Sequence, residues 1–254
     1  MCYIQKAGQN YLVTIAKQKY LIKNQLNIYC LTHLSNPHMF LGIFSRVMFA
    51  MSRGRKLVLA THNVHKQEEM NALLNHMGID ILGLDEYPQI GDIEETGITL
   101  IENSFIKART VFQITGLPTL ADDTGLEVDA LDGAPGVYSA RYAGENPTFQ
   151  DNMNKLLGEL EGLQEEERTA RFRTVISFVD GTKDLHAEGV VEGIITLDSR
   201  GADGFGYDPI FLPEGYALTF AQMSQAEKNK ISHRGRALIK MKKLLEPYLK
   251  KECI

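Results

Sequence analysis

The chain predicts a mixed α/β fold, and three observations carry that prediction. Short apolar runs alternate with stretches of helical period through its middle. Residues 171–180 and 185–196 alternate apolar with polar on either side of an Asp180-Gly181 turn, the pattern of an antiparallel hairpin. The composition, 44% hydrophobic and 23% charged over 254 residues, is that of an ordinary globular chain. Because the hairpin interrupts the strand–helix alternation, the sheet is not a regular βαβ series.

Taken in order, residues 56–60 (Lys56-Leu57-Val58-Leu59-Ala60) read as a buried strand. A helix follows over residues 64–76, with Met70, Leu73, Leu74 and Met77 on one face and Gly78 as its C-cap. Residues 79–82 are a second strand. The polar stretch 85–97 leads to a helix opening at Thr99 and closed by Gly116 and Pro118. Residues 118–121 are a strand that ends in Asp122-Asp123 and a turn at Gly125, with a further apolar piece at 126–128. Residues 149–160 return to helical period, the hairpin follows, and 204–211 is a loop entering a short strand. The final helical region runs from Ser224, and residues 237–249 carry lysines on an outer face.

Charge divides the chain unevenly. Residues 1–50 hold five of the 27 Lys/Arg and none of the 32 Asp/Glu. The remainder therefore has 22 basic against 32 acidic residues, a balance of −10. So acidic a body is a poor general binder of nucleic acid, and phosphate contacts must come from a few placed cations. Residues 39–50 are apolar but too short to span a membrane and are broken by Arg46. The expectation is an N-terminal extension over 1–50 outside the fold, with Met51 as the working start, and a functional domain over 51–254. Three cysteines near the ends (Cys2, Cys30, Cys253), without motif spacing, point to a reducing, cytoplasmic setting rather than a disulfide framework or zinc site.

Four segments carry chemistry. Thr61-His62-Asn63-Val64-His65-Lys66 joins a strand to a helix, where free N–H groups and a lysine suit an anion; alone it is equally a plain N-cap with a solvated lysine. Glu94-Glu95-Thr96-Gly97, Glu102 and Lys107 are surface charge unless Asp122-Asp123 joins them. Adjacent carboxylates at a strand end hold a cation, accept a proton or face water. One Glu from the loop and one Asp from the strand would satisfy Mg²⁺, which takes one or two carboxylates plus phosphates. Gly204-Phe205-Gly206-Tyr207-Asp208 lets backbone and ring approach a flat ligand, or is a simple turn. Lys228 and Ser232-His233-Arg234 open the last helix. Cations there oppose its dipole, so an incoming anion or an aromatic carbonyl explains them better than a solvated run.

Together LATHNVHK, EETG, ENSFIKA, LADDTGLEVDALDGAPGVYSARYAG, GFGYDPIF and EKNKISHRGRAL resemble the inosine/xanthosine triphosphate pyrophosphatase family, in the family's order over residues 56–240. The resemblance implies an elongated mixed sheet with helices on both sides, two lobes around a central cleft, and a homodimer. It implies Mg²⁺-dependent cleavage of ITP, dITP and XTP to monophosphate and pyrophosphate, with no membrane or nucleic-acid partner. By it, residues 61–66 cradle the triphosphate, Lys107 meets phosphate charge, Glu95 and Asp123 hold Mg²⁺, and Asp123 also acts on the attacking water. Glu102 is a further acidic helper. Phe205, Gly206, Tyr207, Asp208, Lys228, His233 and Arg234 form the base pocket. Thr124 stands where many relatives have Ser, and keeps the hydroxyl. Rival readings are a phosphatase releasing orthophosphate and a nucleotide-binding regulator without turnover.

Overall fold

The computed structural model describes the backbone of residues 2–7, 10–15, 18–23, 55–74 and 79–250, and the side chains of 56–74 and 79–246. The chain divides into two compact units, residues 1–54 with 246–254, and residues 55–245. In the first unit, β1 (Cys2–Ala7), β2 (Asn10–Ile15) and β3 (Gln18–Lys23) form an antiparallel sheet in that order. The hydrophobic pattern alone does not expose these strands. The signal lies in composition: β2 is Asn-Tyr-Leu-Val-Thr-Ile, rich in the β-branched and aromatic residues that fit a pleated surface. The apolar run 39–50, the start at Met51 and the cap at Gly78 lie outside the described residues.

The second unit is built on a seven-stranded mixed sheet. Its strands are, in order across it, β10 (Phe211–Pro213), β9 (Asp184–Ile195), β8 (Thr169–Val179), β6 (Thr119–Val128), β4 (Arg55–Leu59) and β5 (Ile79–Leu82), with β7 (Pro135–Gly136) pairing only to β6. Next to its β5 edge, β4 (Arg55–Leu59) runs parallel to β5 (Ile79–Leu82) and to β6 (Thr119–Val128). From β6 onward the sheet is antiparallel, through β8 (Thr169–Val179), β9 (Asp184–Ile195) and β10 (Phe211–Pro213). The expected hairpin is β8–β9, turned where the Asp180 carboxylate accepts from the backbone N–H groups of Thr182 and Lys183.

One sequence expectation is overturned. The acidic pair does not end a strand: β6 runs unbroken for ten residues through Asp122, Asp123 and Gly125. Nor does it present charge at a sheet edge. β8 pairs along the whole of β6, and both carboxylates are buried. Local sequence favoured a break, but Gly125 here serves a close approach instead. A Cβ on it would lie 2.6 Å from the carbonyl oxygen of Gly136, so only glycine lets β7 pack there.

Among the described residues five helices flank the sheet. These are α1 (Val64–Leu74), α2 (Leu100–Thr115), α3 (Phe149–Glu159), α4 (Gln225–Ile231) and α5 (His233–Lys250). Helix α2 opens with a reciprocal pair of hydrogen bonds between Thr99 and Glu102 and closes at Gly116. Its Ser104 hydroxyl meets that of Ser177 on β8, which fixes α2 on one face of the sheet. The other face carries α5. There a Cβ on Gly189 of β9 would run into the His233 carbonyl oxygen and lie 2.5 Å from the Ala237 nitrogen. The expected final helical region is two helices, broken at Ser232, whose hydroxyl accepts from Gly235 N–H as the N-cap of α5.

Each face buries its own core. Val58, Ala108, Val111, Ala121 and Val179 pack beneath α2. Leu126, Leu156, Phe172, Val191, Phe211 and Phe220 fill the opposite face. Each fully buried aliphatic or aromatic side chain contributes roughly 1.5–3 kcal/mol. β4 pairs with β6 only at Val58↔Thr119 and Leu59↔Leu120. It then turns off toward α1 while β6 continues beside β8. The sheet therefore opens next to Asp122-Asp123, outside the carboxyl end of a parallel strand, where open α/β sheets place ligands.

Gly189→Ala should lower stability by about 1–3 kcal/mol, because backbone atoms of α5 cannot yield to a methyl group as a side chain can. Chemical denaturation of the variant checks this, and a parent-like midpoint contradicts the contact.

Candidate active site

A cavity of about 300 Å³ lies at that opening. Leu84 and Ile93 from the α2-side core form one wall, and Leu126, Phe172 and Tyr207 from the other core form the opposite one. Two cores with a cleft between them correspond to the two lobes that the family resemblance implies.

Consecutive residues of a strand point to opposite faces, and this separates the two acids. Asp123 faces α2. Its Oδ1 accepts from Lys107 Nζ at 3.2 Å, and the same ammonium donates to Glu95 Oε1 at 2.8 Å. Asp123 Oδ2 is buried and has no protein partner, although the residue lines the cleft. Burial lifts the Asp123 carboxyl above the ordinary aspartate range, against the pull of Lys107 and Lys66 and with help from Glu95. Burial works against the charge of Lys107 too, but Asp123, Glu95 and Asp122 outweigh it and hold the ammonium above the usual lysine range.

Asp122 faces the other way and does not line the cleft. Its Oδ2 lies 3.1 Å from Lys66 Nζ and accepts from Arg234 Nε at 3.2 Å and from the Thr124 hydroxyl at 3.3 Å. Burial alone would raise its pKa. Lys66, Arg234 and Lys107 instead hold it far below the carboxylate range, so it is a fixed negative charge. Lys66 pays for its position: burial depresses its pKa despite Asp122.

Glu69 is the residue that sequence reasoning missed. It lies on α1, is 3% exposed, and is absent from the cleft wall. Its carboxylate accepts from Lys228 Nζ at 2.8 Å, from Gln225 Nε2 at 3.2 Å, and from Arg234 Nη1. Burial opposes its charge, but Arg234 and Lys228 win and keep it ionised. An acid three residues beyond Lys66, amid Met70 and Leu74 of the buried face, was the available signal. Glu69 and Asp122 also supply the anion that Arg234 was expected to meet from outside. Of five guanidinium N–H donors, three are engaged by Asp122, Glu69 and Thr124, and two are left.

The structure gathers most of the expected residues around one cleft. Thr61, His62, Asn63, Lys66, Glu95, Lys107, Asp123 and Thr124 line it. So do Phe205, Gly206, Tyr207, Asp208, Lys228, His233 and Arg234. Asn63 caps α1, its Oδ1 accepting from Lys66 N–H, so cap and lysine are fixed together. Asp208 Oδ2 accepts from Lys228 Nζ at 2.7 Å and from Phe205 N–H at 2.8 Å; it shapes the loop as well as lining the pocket. The His233 ring stacks on Phe172 at 4.6 Å. Burial, then Arg234 and Lys228, depress its pKa well below the usual histidine value, so the imidazole is neutral.

Three expected residues fall elsewhere. Val64 and His65 do not line the cleft: Val64 is 60% exposed, and His65 stacks on Phe205. Once α1 begins at Val64, the helical turn aims Lys66, not these two, at the opening. Glu102 Oε2 accepts from the N–H groups of Ile98 and Thr99, so it serves the start of α2 and does not reach the cleft.

The arrangement fits a divalent cation. Glu95 and Asp123 share Lys107, and Asp123 keeps one oxygen free. Among the described residues there is no cluster of three or more His, Cys, Asp or Glu for a metal held by protein alone. Two carboxylates completed by a substrate's phosphates are the arrangement magnesium accepts.

An open mixed sheet with buried lysines and a free carboxylate oxygen beside its crevice defines an α/β enzyme cleft suited to a polyanion. The chain belongs to the Ham1 family, whose sequence model matches residues 57–244. It is 48% identical over 193 residues to the dITP/XTP pyrophosphatase of Bacillus licheniformis, covering 76% of this chain and 98% of that one. Against the dITP/XTP pyrophosphatase of Nitratidesulfovibrio vulgaris it is 50% identical over 198 residues, covering 75% and 94%. Among solved structures, a HAM1 protein from Coxiella burnetii superposes with a TM-score of 0.70 at 44% identity, covering 76% and 98%.

The buried histidine has a consequence for acid stability. A folded pKa below the unfolded value near 6.5 means that the unfolded chain takes up the proton first. Stability from this group is intact above that pH and falls as pH drops below it, by up to about 1.4 kcal/mol per pH unit. In His233→Gln the fall in unfolding midpoint from pH 6.5 to 5 should be shallower; an identical slope in both proteins contradicts a neutral His233.

Proposed function

We propose that the chain hydrolyses noncanonical purine nucleoside triphosphates, of the ITP, dITP and XTP type, to the monophosphate and pyrophosphate. The observation that carries this reading is Asp123, a cleft-lining carboxylate with one oxygen held by Lys107 and the other buried without a protein partner, beside Lys66. Phosphoryl chemistry asks the protein for charge neutralisation and a positioned nucleophile, and little more. Lys66 and Lys107 meet the phosphate oxygens. Asp123 Oδ2 takes the proton of a water that attacks the α-phosphorus, and pyrophosphate leaves as the α–β bridge breaks. Glu95 and Asp123 are the residues that would hold Mg²⁺, which when bound neutralises further phosphate charge.

Base choice follows from donors. The two remaining Arg234 N–H groups suit the 6-oxo group of hypoxanthine or xanthine. Adenine offers a 6-amino donor there and leaves buried donors unpaired, a mismatch that can cost orders of magnitude. The names of the relatives, dITP/XTP pyrophosphatases, support the same substrate class. The reading extends to a homodimer in the cytoplasm, the latter supported by the placement of the three cysteines. Among the described residues no helix is long and apolar enough to cross a membrane.

With Mg²⁺ and ITP the expected products are IMP and pyrophosphate. Release of orthophosphate alone supports the rival phosphatase, and binding without any product supports a regulator. Asp123→Asn should cut kcat by roughly 10²–10⁴-fold, whereas parent-like turnover removes Asp123 from the reaction. Residues 1–50 lie upstream of the family match, which begins at residue 57. We propose that hydrolysis does not need them: a chain starting at Met51 should retain parent kcat/KM, and loss of soluble protein on this truncation contradicts it.

A further inference from the structure

Phe149 plays no part in the phosphate cradle or the donor cluster, yet it lines the cleft. It is the first residue of α3 and is 46% exposed. Among the described residues it is the only exposed large hydrophobic in the cleft wall. The helix does not need it. The start of α3 is fixed by reciprocal hydrogen bonds between Thr148 and Asp151, and its buried residues are Asn152, Met153 and Leu156. An aromatic ring left half in water beside a ligand cleft has its apolar face available to what enters.

Its neighbours say what that is. The Phe149 ring centroid lies 6.1 Å from that of Phe205, at 47°. Phe205 is itself stacked on His65 at 5.1 Å and 12°. Lys228 Nζ stands 4.9 Å from the Phe205 centroid, and Arg234 Cζ stands 5.7 Å from it. Aromatic rings from three separate segments thus meet beside the cations that hold the donor end of the cleft.

We propose that Phe149 is a substrate-contacting residue which, with Phe205, packs against the flat heterocycle of the bound nucleotide. This rests on the purine triphosphate reading above. Every purine has a π face, so such a contact adds affinity without regard to the base. Discrimination stays with Arg234 and its buried partners. A contact made equally in the ground and transition states changes KM and leaves kcat alone.

Steady-state kinetics of Phe149→Ala with ITP and with ATP tests the proposal. KM should rise about tenfold for both, with kcat and the ITP/ATP ratio of kcat/KM unchanged. Parent KM for ITP, or a change in the base ratio, overturns it. Phe149→Trp keeps an aromatic ring and should keep KM near the parent's. The chain has no other tryptophan, so its emission should change on titration with IMP, and unchanged emission at saturating IMP overturns the contact. If the parent hydrolyses no purine triphosphate, the functional reading fails; if it does and Phe149→Ala matches it, only this inference fails.

Discussion

Two carboxylates on consecutive residues of an interior strand set the terms for the rest of this molecule. A buried ion costs several kcal/mol unless charged partners and hydrogen bonds meet it. Asp122 and Asp123 sit side by side with β8 along their whole length and little water. Each must therefore find cations on its own face of the sheet. Lys107 answers Asp123, and Lys66 with Arg234 answers Asp122. Those cations come from α2, α1 and α5, three segments far apart in sequence. The helices are held to the sheet by this charge pairing as well as by their apolar faces.

The pairing also separates chemistry from support. On one face burial raises the pKa of Asp123, whose Oδ2 has no protein partner. On the other, Asp122 and Glu69 are pinned in the ionised state behind the wall. They orient Lys66, Lys228 and Arg234 without entering the cleft. Such charges are preorganised and require no rearrangement as substrate charge arrives. The neutral His233, stacked on Phe172, joins this assembly to the apolar core.

Much of this was legible in the residues. The hairpin, strands β4 and β5, the helix starts at Thr99 and Ser232 and fifteen residues of the cleft wall follow from local pattern and motif order. Three things did not. The strand through Asp122-Asp123 was hidden because acids and glycine are poor local strand formers, and only β8 and the distant cations make it stable. Glu69 was hidden because a lone acid among polar helix residues looks solvated until Lys228 and Arg234 fold onto it. Strands β1–β3 were hidden because weak alternation outweighed their β-rich composition. In the first two cases the missing information was a contact across long sequence separation, whereas β1–β3 pair only with their neighbours in sequence. Val64, His65 and Glu102 stand outside the cleft wall, because neighbours in a motif diverge once a helix begins.

The alternation along β6 means that the difference between the two acids is stored in register rather than in residue type. Two identical side chains stand at adjacent positions, and the parity of the strand decides which one meets Lys107 and which one meets Lys66 and Arg234. A slip of β6 by one residue against β8 would carry Asp122 to the face of Lys107 and Asp123 to the face of Lys66 and Arg234. No residue would have changed, yet the site would hold the wrong twin.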